Sequence, residues 1–397
     1  MSMTAIMALK LVWILCVYVI ITLLIPHFVV GKLIRYKNRY ERFMLYSMIG
    51  NFFVMNLVYI LELLHISNTA TLIIFTVIPC LAIKIFVEKI PIVEVLTEFW
   101  DTLRRIAGGQ LKIRALWDQR RPIRVARRKN LRKQFLEVYV KNIPDVLLVL
   151  AVIGVVFWLF GYNDVIYWGY KSSDILVHNY WINELSENNI FAAGVYPYGF
   201  HCMIYYMHQV FGIDTYIMLN LMGFTDVLWS VLMLFCFCKL ICKSAYIPYL
   251  SVLLYMVTDY FQLNTYSRYT SPLPQEYGII FILPAIYCGF AYFREQRREL
   301  HGSAADKSKI YLGGFLISFA MTLSVHFYGT IAAGFYALAM LIGFAGWVFR
   351  RPYFKKVMLT SLLSVVIALL PMGIAYATGT ELEGSLRWAL SVISSSD

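Results

Sequence analysis

Stretches of about 20 apolar residues recur along this chain, each long enough to cross the hydrocarbon core of a bilayer as a helix. They run over residues 11–30, 43–64, 70–87, 143–161, 215–240, 246–261, 278–293, 310–326, 328–348 and 357–377. A backbone in lipid must satisfy its own hydrogen bonds, so only helices or closed barrels are open to such a sequence, and the length of the runs selects helices. Composition agrees: 60% of residues are hydrophobic and mean hydropathy is +0.66, well beyond an ordinary soluble domain. The expected fold is all-α, a polytopic membrane protein with about ten transmembrane helices and no internal repeat. Residues 11–30 are too long for a signal-peptide core and precede no small-residue cleavage site, which predicts a retained first helix.

The charge is +12, from 35 Lys and Arg against 23 Asp and Glu. In a soluble protein this excess points to nucleic acid. Here it falls in loops between apolar runs, which points to membrane orientation and anionic lipid instead, with no nucleic acid. With the N-terminus outside, every Lys and Arg except Lys10, Lys171, Arg268 and Arg387 falls on the inner side. The localisation expected is therefore integral membrane, the plasma membrane, with the N-terminus and loop 162–212 extracytoplasmic.

Three regions follow: a three-helix membrane module over 1–87, a basic amphipathic cytoplasmic segment over 88–142, and a membrane core over 143–397. The segment 88–142 alternates apolar and charged residues, as helices lying on anionic lipid of the inner leaflet would, or as a plain topogenic loop would. The seven Cys lie almost entirely in apolar runs and imply no disulfide framework. Cys236, Cys238 and Cys242 read as small core residues rather than ligands.

The longest polar stretch on the outer side, 162–212, carries the groups able to do chemistry. Asp174 and His178 are spaced i and i+4 and share one face of a helix. Tyr196 to His201 reads Tyr-Pro-Tyr-Gly-Phe-His and opens a helix over about 197–212, too short to span and expected to lie in the outer leaflet. Two further outer pieces bring Arg268 with Glu276, and His326 at a membrane boundary. Asp174 suits a general base, which needs one well-placed carboxylate. Asp174 with His178 also resembles half of a divalent-metal site, but a metal needs more ligands than this pair supplies, so no cofactor is expected. Arg268 can grip a phosphate with two parallel hydrogen bonds or anchor at headgroup level, and Lys171 can act as a point charge. His326 can serve a ligand or bond a neighbouring carbonyl. The aromatic residues Tyr167, Tyr170, Tyr180 and Trp181 form an interfacial belt or stack on a sugar. Asp226 falls mid-membrane, where an ionisable group is a functional candidate or a protonated packing residue.

At these residues the chain resembles the GT-C superfamily of integral membrane glycosyltransferases. A spanning helix (143–161), a large first outer loop with an acidic residue (Asp174, with His178) and a Tyr-Pro-x-Gly-x-His-like stretch (Tyr196 to His201) carry the likeness, which covers about 143–377. The resemblance implies a GT-C-like core. It implies transfer of a sugar from a polyprenyl-phosphate carrier to a glycan, lipid or protein acceptor on the extracytoplasmic face, within cell-envelope glycan biosynthesis. Asp174 would then be catalytic, as base or acceptor-orienting group. His178, Tyr196, His201, Arg268, Glu276 and His326 would bind substrate, with no metal. The three leading helices and the basic segment have no counterpart in that core. Three other classes compete. A transporter or lipid flippase would use Asp226 and show matched broken helices, which are not evident. An O-acyltransferase would use His326, but from the inner side. A non-catalytic assembly subunit would use Asp174 and Arg268 only to hold loops together.

Overall fold

The computed structural model describes residues 2–34, 37–110, 112, 114, 118, 121–136, 140, 143–167, 169–260, 270–299 and 308–394. These form two compact units, one of residues 1–80 with 156–397 and one of residues 81–155.

The larger unit is a helical bundle. Its elements are α1 (Met3–Val30), α2 (Arg39–Leu63), α3 (Thr69–Glu88, as far as residue 80), the end of a helix spanning Ile143–Ile166, and then two short helices. These short helices precede the bundle's most buried member. The smaller unit holds the rest of α3, α4 (Ile92–Ala107), α5 (Arg121–Phe135) and most of α6 (Ile143–Ile166). The short pair in the larger unit is α7 (Asp174–Ser186) and α8 (Gly199–Phe211). Then come α9 (Thr215–Ile241), α10 (Ile247–Tyr260), α11 (Pro274–Glu299), α12 (Ser308–Val325), α13 (Phe327–Gly343), α14 (Ala345–Val348), α15 (Arg351–Ala377) and α16 (Gly384–Ser394).

Among the described residues, eight helices are long and apolar enough to cross a membrane, and Ile247–Thr258 and Phe327–Gly343 are shorter apolar helices. The chain is therefore an all-α, polytopic integral membrane protein.

Local chemistry sets the helix ends. Asn38 accepts a hydrogen bond from the Glu41 N–H at 2.9 Å, and Glu41 accepts one from the Asn38 N–H at 3.2 Å, a reciprocal cap that starts α2. Asp214 accepts from the Ile217 N–H at 3.1 Å and starts α9. Gly212 ends α8 in the left-handed conformation at φ 65.

The centre of the bundle is α9, α2 and α11, most of whose apolar windows are buried by protein. Polar contacts tie them where lipid offers no partner. Tyr277 donates to Asn51, Trp229 donates to Ser47 at 3.1 Å, and Tyr287 and Tyr311 both donate to Glu41. Gly50 lets α2 approach the π-turn of α1. A Cβ there would lie 2.5 Å from the Ile21 carbonyl oxygen and 2.7 Å from the Thr22 Cα. Because backbone cannot swing aside, Gly50→Ala is expected to cost about 1–3 kcal/mol, read as a lowered thermal midpoint in detergent. An unchanged midpoint would mean the two helices are not held this close.

The short helix α8 differs from expectation. Instead of lying with one face in lipid, it has Gly199 to Met207 all buried by protein. It packs against α2, α7, α9, α11 and α12. The Tyr198 N–H donates to the Tyr59 hydroxyl at 2.7 Å, Ser67 donates to the Tyr205 hydroxyl at 3.1 Å, and Thr76 and Tyr206 hydroxyls bond at 2.9 Å. These bonds tie it to α2, α3 and the turn between them, and its burial among five helices makes it a plug rather than a surface helix.

In the smaller unit, α4 buries none of its residues, and Ile92, Leu96, Phe99, Trp100 and Leu103 form an exposed apolar stripe along it.

Candidate functional site

Within the larger unit, a cavity of about 350 Å³ opens among the start of α7, the Tyr196 segment, the start of α11, the α12–α13 break and the segment that follows α15. Helix α7 contributes Asp174, Val177, His178 and Trp181, spaced i, i+3, i+4 and i+7, so one stripe of one helix faces the cavity. The Asp174 carboxylate lies at the exposed lip, where the Ser173 hydroxyl donates to it at 3.3 Å. His178 lies deeper and is 8% exposed.

Behind His178 stands His201, in the first turn of α8 and fully buried. His178 Nδ1 and His201 Nε2 are 3.0 Å apart, a hydrogen bond that needs one ring to carry the proton and the other to accept it. Burial pushes the His178 imidazole down to about 4, against a smaller upward pull from Asp174. Burial pushes His201 well below its ordinary value, and any charge on His178 or His326 pushes the same way. Both rings are therefore neutral near pH 7.

This arrangement has a consequence for stability. Between about pH 4 and 6.5 the folded chain binds fewer protons at His178 than the unfolded chain does, so this contribution is fully present above 6.5 and is lost as pH falls towards 4. Thermal unfolding of the purified protein should show a midpoint that drops through this window, and His178→Gln should flatten the drop. Parallel profiles for the two proteins would show that His178 titrates normally.

Tyr196 forms another wall and is 5% exposed. Burial raises its hydroxyl pKa, with further upward pushes from the carboxylates of Glu383, Asp174 and Glu276, so the phenol stays protonated. Trp181 packs on Tyr196 and Tyr198 at 5.0 and 5.5 Å between ring centroids. At the α12–α13 break, His326 caps α13 by accepting the Tyr328 N–H on Nδ1 at 3.1 Å, which places the proton of the neutral ring on Nε2. His326, Phe327 and Tyr328 line the same cavity with their rings stacked.

The last wall comes from the far end of the chain. Val195 and Leu382 form a parallel β-bridge: the Val195 N–H donates to the Glu381 carbonyl at 2.8 Å, and the Glu383 N–H donates to the Val195 carbonyl at 3.2 Å. This strap brings Glu383 and Ser385 to the cavity. Glu383 accepts from both the N–H and the hydroxyl of Ser385, which fixes its carboxylate at the start of α16.

Of the residues singled out from the sequence, Asp174, His178, Tyr196 and His326 meet in this cavity. His201 does not line it but backs His178. Glu276 is buried next to the lining residue Gln275, within electrostatic reach of Tyr196 and Asp226. Arg268 lies outside the described residues. Lys171 is ion-paired with Asp164 rather than facing the cavity, and burial pushes its amine down to about 8. Asp226 is 3% exposed within α9, away from the cavity lining, and neither carboxylate oxygen has a hydrogen-bond partner among the described residues.

Gln275, Glu383 and Ser385 were not legible as site residues. Trp181, read from the sequence as an interfacial or sugar-stacking ring, lines the cavity by completing the α7 stripe begun by Asp174. Glu383 had no usable signal in the sequence. Among the described residues, no group of three or more His, Cys, Asp or Glu is arranged to hold a metal ion. Comparison with family models, with curated proteins and with solved structures finds no match.

Proposed function

We propose that the cavity receives the sugar of a polyprenyl-phosphate-linked donor, and that the protein is a membrane glycosyltransferase of GT-C type. The observation that carries this reading is the lining itself. A cavity of about 350 Å³ at one end of a lipid-embedded bundle combines two carboxylates, Asp174 and Glu383, with the rings of Trp181, Tyr196 and His326. Carboxylates and imidazoles hold hydroxyl groups, and flat rings cover the apolar face of a sugar.

In the reaction proposed, an acceptor hydroxyl attacks the anomeric carbon. The bond from that carbon to the carrier phosphate oxygen breaks, and polyprenyl phosphate leaves with the electron pair. Asp174 takes the acceptor proton. Holding a lipid-borne donor and its acceptor in one cavity supplies rate through proximity. A glycan, lipid or protein acceptor fits this scheme. The distribution of Lys and Arg supports an extracytoplasmic cavity in the plasma membrane, and the basic segment 88–142, with the apolar stripe of α4, suits the surface of anionic lipid.

The test is transfer from labelled polyprenyl-phosphate sugars by purified protein in nanodiscs. Wild type should consume a donor, and Val177→Trp, which fills the cavity from its exposed wall, should stop consumption while leaving the thermal midpoint unchanged. Absence of turnover with any such donor would retire the enzyme reading. A second reading, a lipid or solute transporter, draws on the buried carboxyl of Asp226. It predicts that Asp226→Asn stops movement of a labelled lipid across vesicles that show no donor turnover.

A further inference from the structure

His178 lines the cavity that also holds Asp174, and its Nδ1 is taken by the 3.0 Å bond to His201 Nε2, so Nε2 is the ring nitrogen that serves a ligand. What Nε2 offers depends on the direction of that bond. If His201 donates, His178 carries its proton on Nε2 and presents an N–H to the cavity. If His178 donates, its Nε2 is a bare lone pair, able to take a proton or bind a metal. Both rings are neutral near pH 7, so one arrangement or the other holds.

The surroundings of His201 decide the direction. The ring is fully buried and packed by Trp181, Tyr198 and Phe200 at 5.2, 4.7 and 5.6 Å between centroids. Its Nδ1 has no hydrogen-bond partner among the described residues. If His201 accepted, its own proton would sit on Nδ1, a donor enclosed with nothing to receive it. If it donates, Nδ1 is a lone pair. An acceptor is left unused in folded proteins more readily than a donor is. Two neighbouring atoms are likewise buried without partners, Trp181 Nε1 and the Tyr198 hydroxyl. The hydroxyl can serve either arrangement, but an indole nitrogen can only donate, so Trp181 favours a lone pair on His201 over a further N–H.

We propose that His201 is a positioning residue that fixes His178 as a hydrogen-bond donor to the cavity, and that the donated bond goes to a hydroxyl oxygen of the bound donor sugar. Asp174 then offers an acceptor at the lip and His178 a donor one helical turn deeper, a pair that matches two hydroxyls of one sugar ring. A phosphate oxygen fits this end less well, because Asp174 and Glu383 line the same cavity and like charges repel. The donor state of His178 stands without the glycosyltransferase reading, whereas the sugar hydroxyl rests on it.

The full-length protein with nitrogen-15-labelled histidine rings, in nanodiscs near neutral pH, reports both tautomers by solid-state NMR. His178→Asn and His201→Gln assign the two rings among the seven histidines. Wild type is expected to show His178 and His201 each protonated at Nε2 and bare at Nδ1. His201→Gln, whose amide can donate from nearly the same place, should keep the His178 signature. His201→Leu, which cannot donate, should lose it to a mixture of tautomers. A proton on His178 Nδ1 in wild type would overturn the proposal, as would an unchanged His178 signature in His201→Leu. Should that variant not fold, the wild-type spectrum still decides. In donor turnover, His201→Leu should raise KM for the donor on the order of tenfold, the worth of one hydrogen bond, and His201→Gln should stay near wild type. A rise in KM for the acceptor instead would take the donor sugar away from His178. If no donor is turned over, the sugar hydroxyl falls with the enzyme reading, while the spectra alone decide the role of His201.

Discussion

Asp174→Asn is expected to lower donor turnover by about 10²–10⁴-fold, the usual range for removing a general base, while leaving folding untouched. Asp174 is exposed at the lip of its cavity, where it accepts a hydrogen bond from the neighbouring Ser173 hydroxyl, so the amide fits the same space. What it cannot do is take a proton. The loss should fall on kcat, with donor affinity little changed, because in the proposed reaction the group acts in the transition state rather than in binding. Glu383→Gln is the control that gives this meaning. Its carboxylate already accepts two hydrogen bonds from Ser385 and is fixed as a positioning partner, so the expected effect is smaller and falls partly on KM. A larger kcat loss for Glu383→Gln than for Asp174→Asn would exchange the two roles. Full activity in both variants would remove the chemistry from this cavity altogether.

Gly194→Val is expected to release the strap that completes the cavity. Gly194 has φ 108, a conformation that a β-branched residue holds only at a cost of about 1–3 kcal/mol. A Cβ there would also lie 2.7 Å from the Glu383 nitrogen, 2.8 Å from its Cα and 3.0 Å from the Glu381 carbonyl oxygen. All three are backbone atoms, so overpacking adds a further cost of about 1–3 kcal/mol. The cheapest relief is to break the Val195–Leu382 bridge and let Glu383 and Ser385 leave the cavity. Hydrogen exchange at 380–387 should rise sharply while α9 and α11 stay protected, and donor turnover should fall with it. Gly379→Ala separates strain from clash: Gly379 also has a positive φ, 102, but a Cβ there meets nothing within 4 Å. If Gly194→Val keeps the wild-type exchange pattern, the strap does not hold the cavity wall.

Much of the architecture was readable from residue order. Eight of the ten apolar runs are helices long enough to span, because lipid forces each segment to satisfy its own backbone and that constraint is local, while 246–261 and 328–348 carry shorter apolar helices among the described residues. The i, i+4 spacing of Asp174 and His178 gave their shared face, and extending it to i+7 decides between the two readings of Trp181 by placing it on that face. The reading of α8 failed for a physical reason. Length and polarity marked Gly199–Phe211 as too short to span, but neither reports what surrounds a helix. Its neighbours in space, Tyr59, Ser67 and Thr76, come from α2, α3 and the turn between them.

By itself the sequence determined that this chain is a multi-helix membrane protein, which segments lie between its spans, and that Asp174, His178, Tyr196 and His326 belong to one polar face. Those properties follow from hydropathy, charge and helical period, each of which acts over a few residues. Only the tertiary structure decided that His201 stands behind His178 rather than in the cavity, that Lys171 is taken by Asp164, and that Glu383 closes the opposite wall. The bridge between Val195 and Leu382 is made of backbone hydrogen bonds, which carry no side-chain signature, and it joins segments separated by much of the chain. Such a contact exists only once the helices between them have packed.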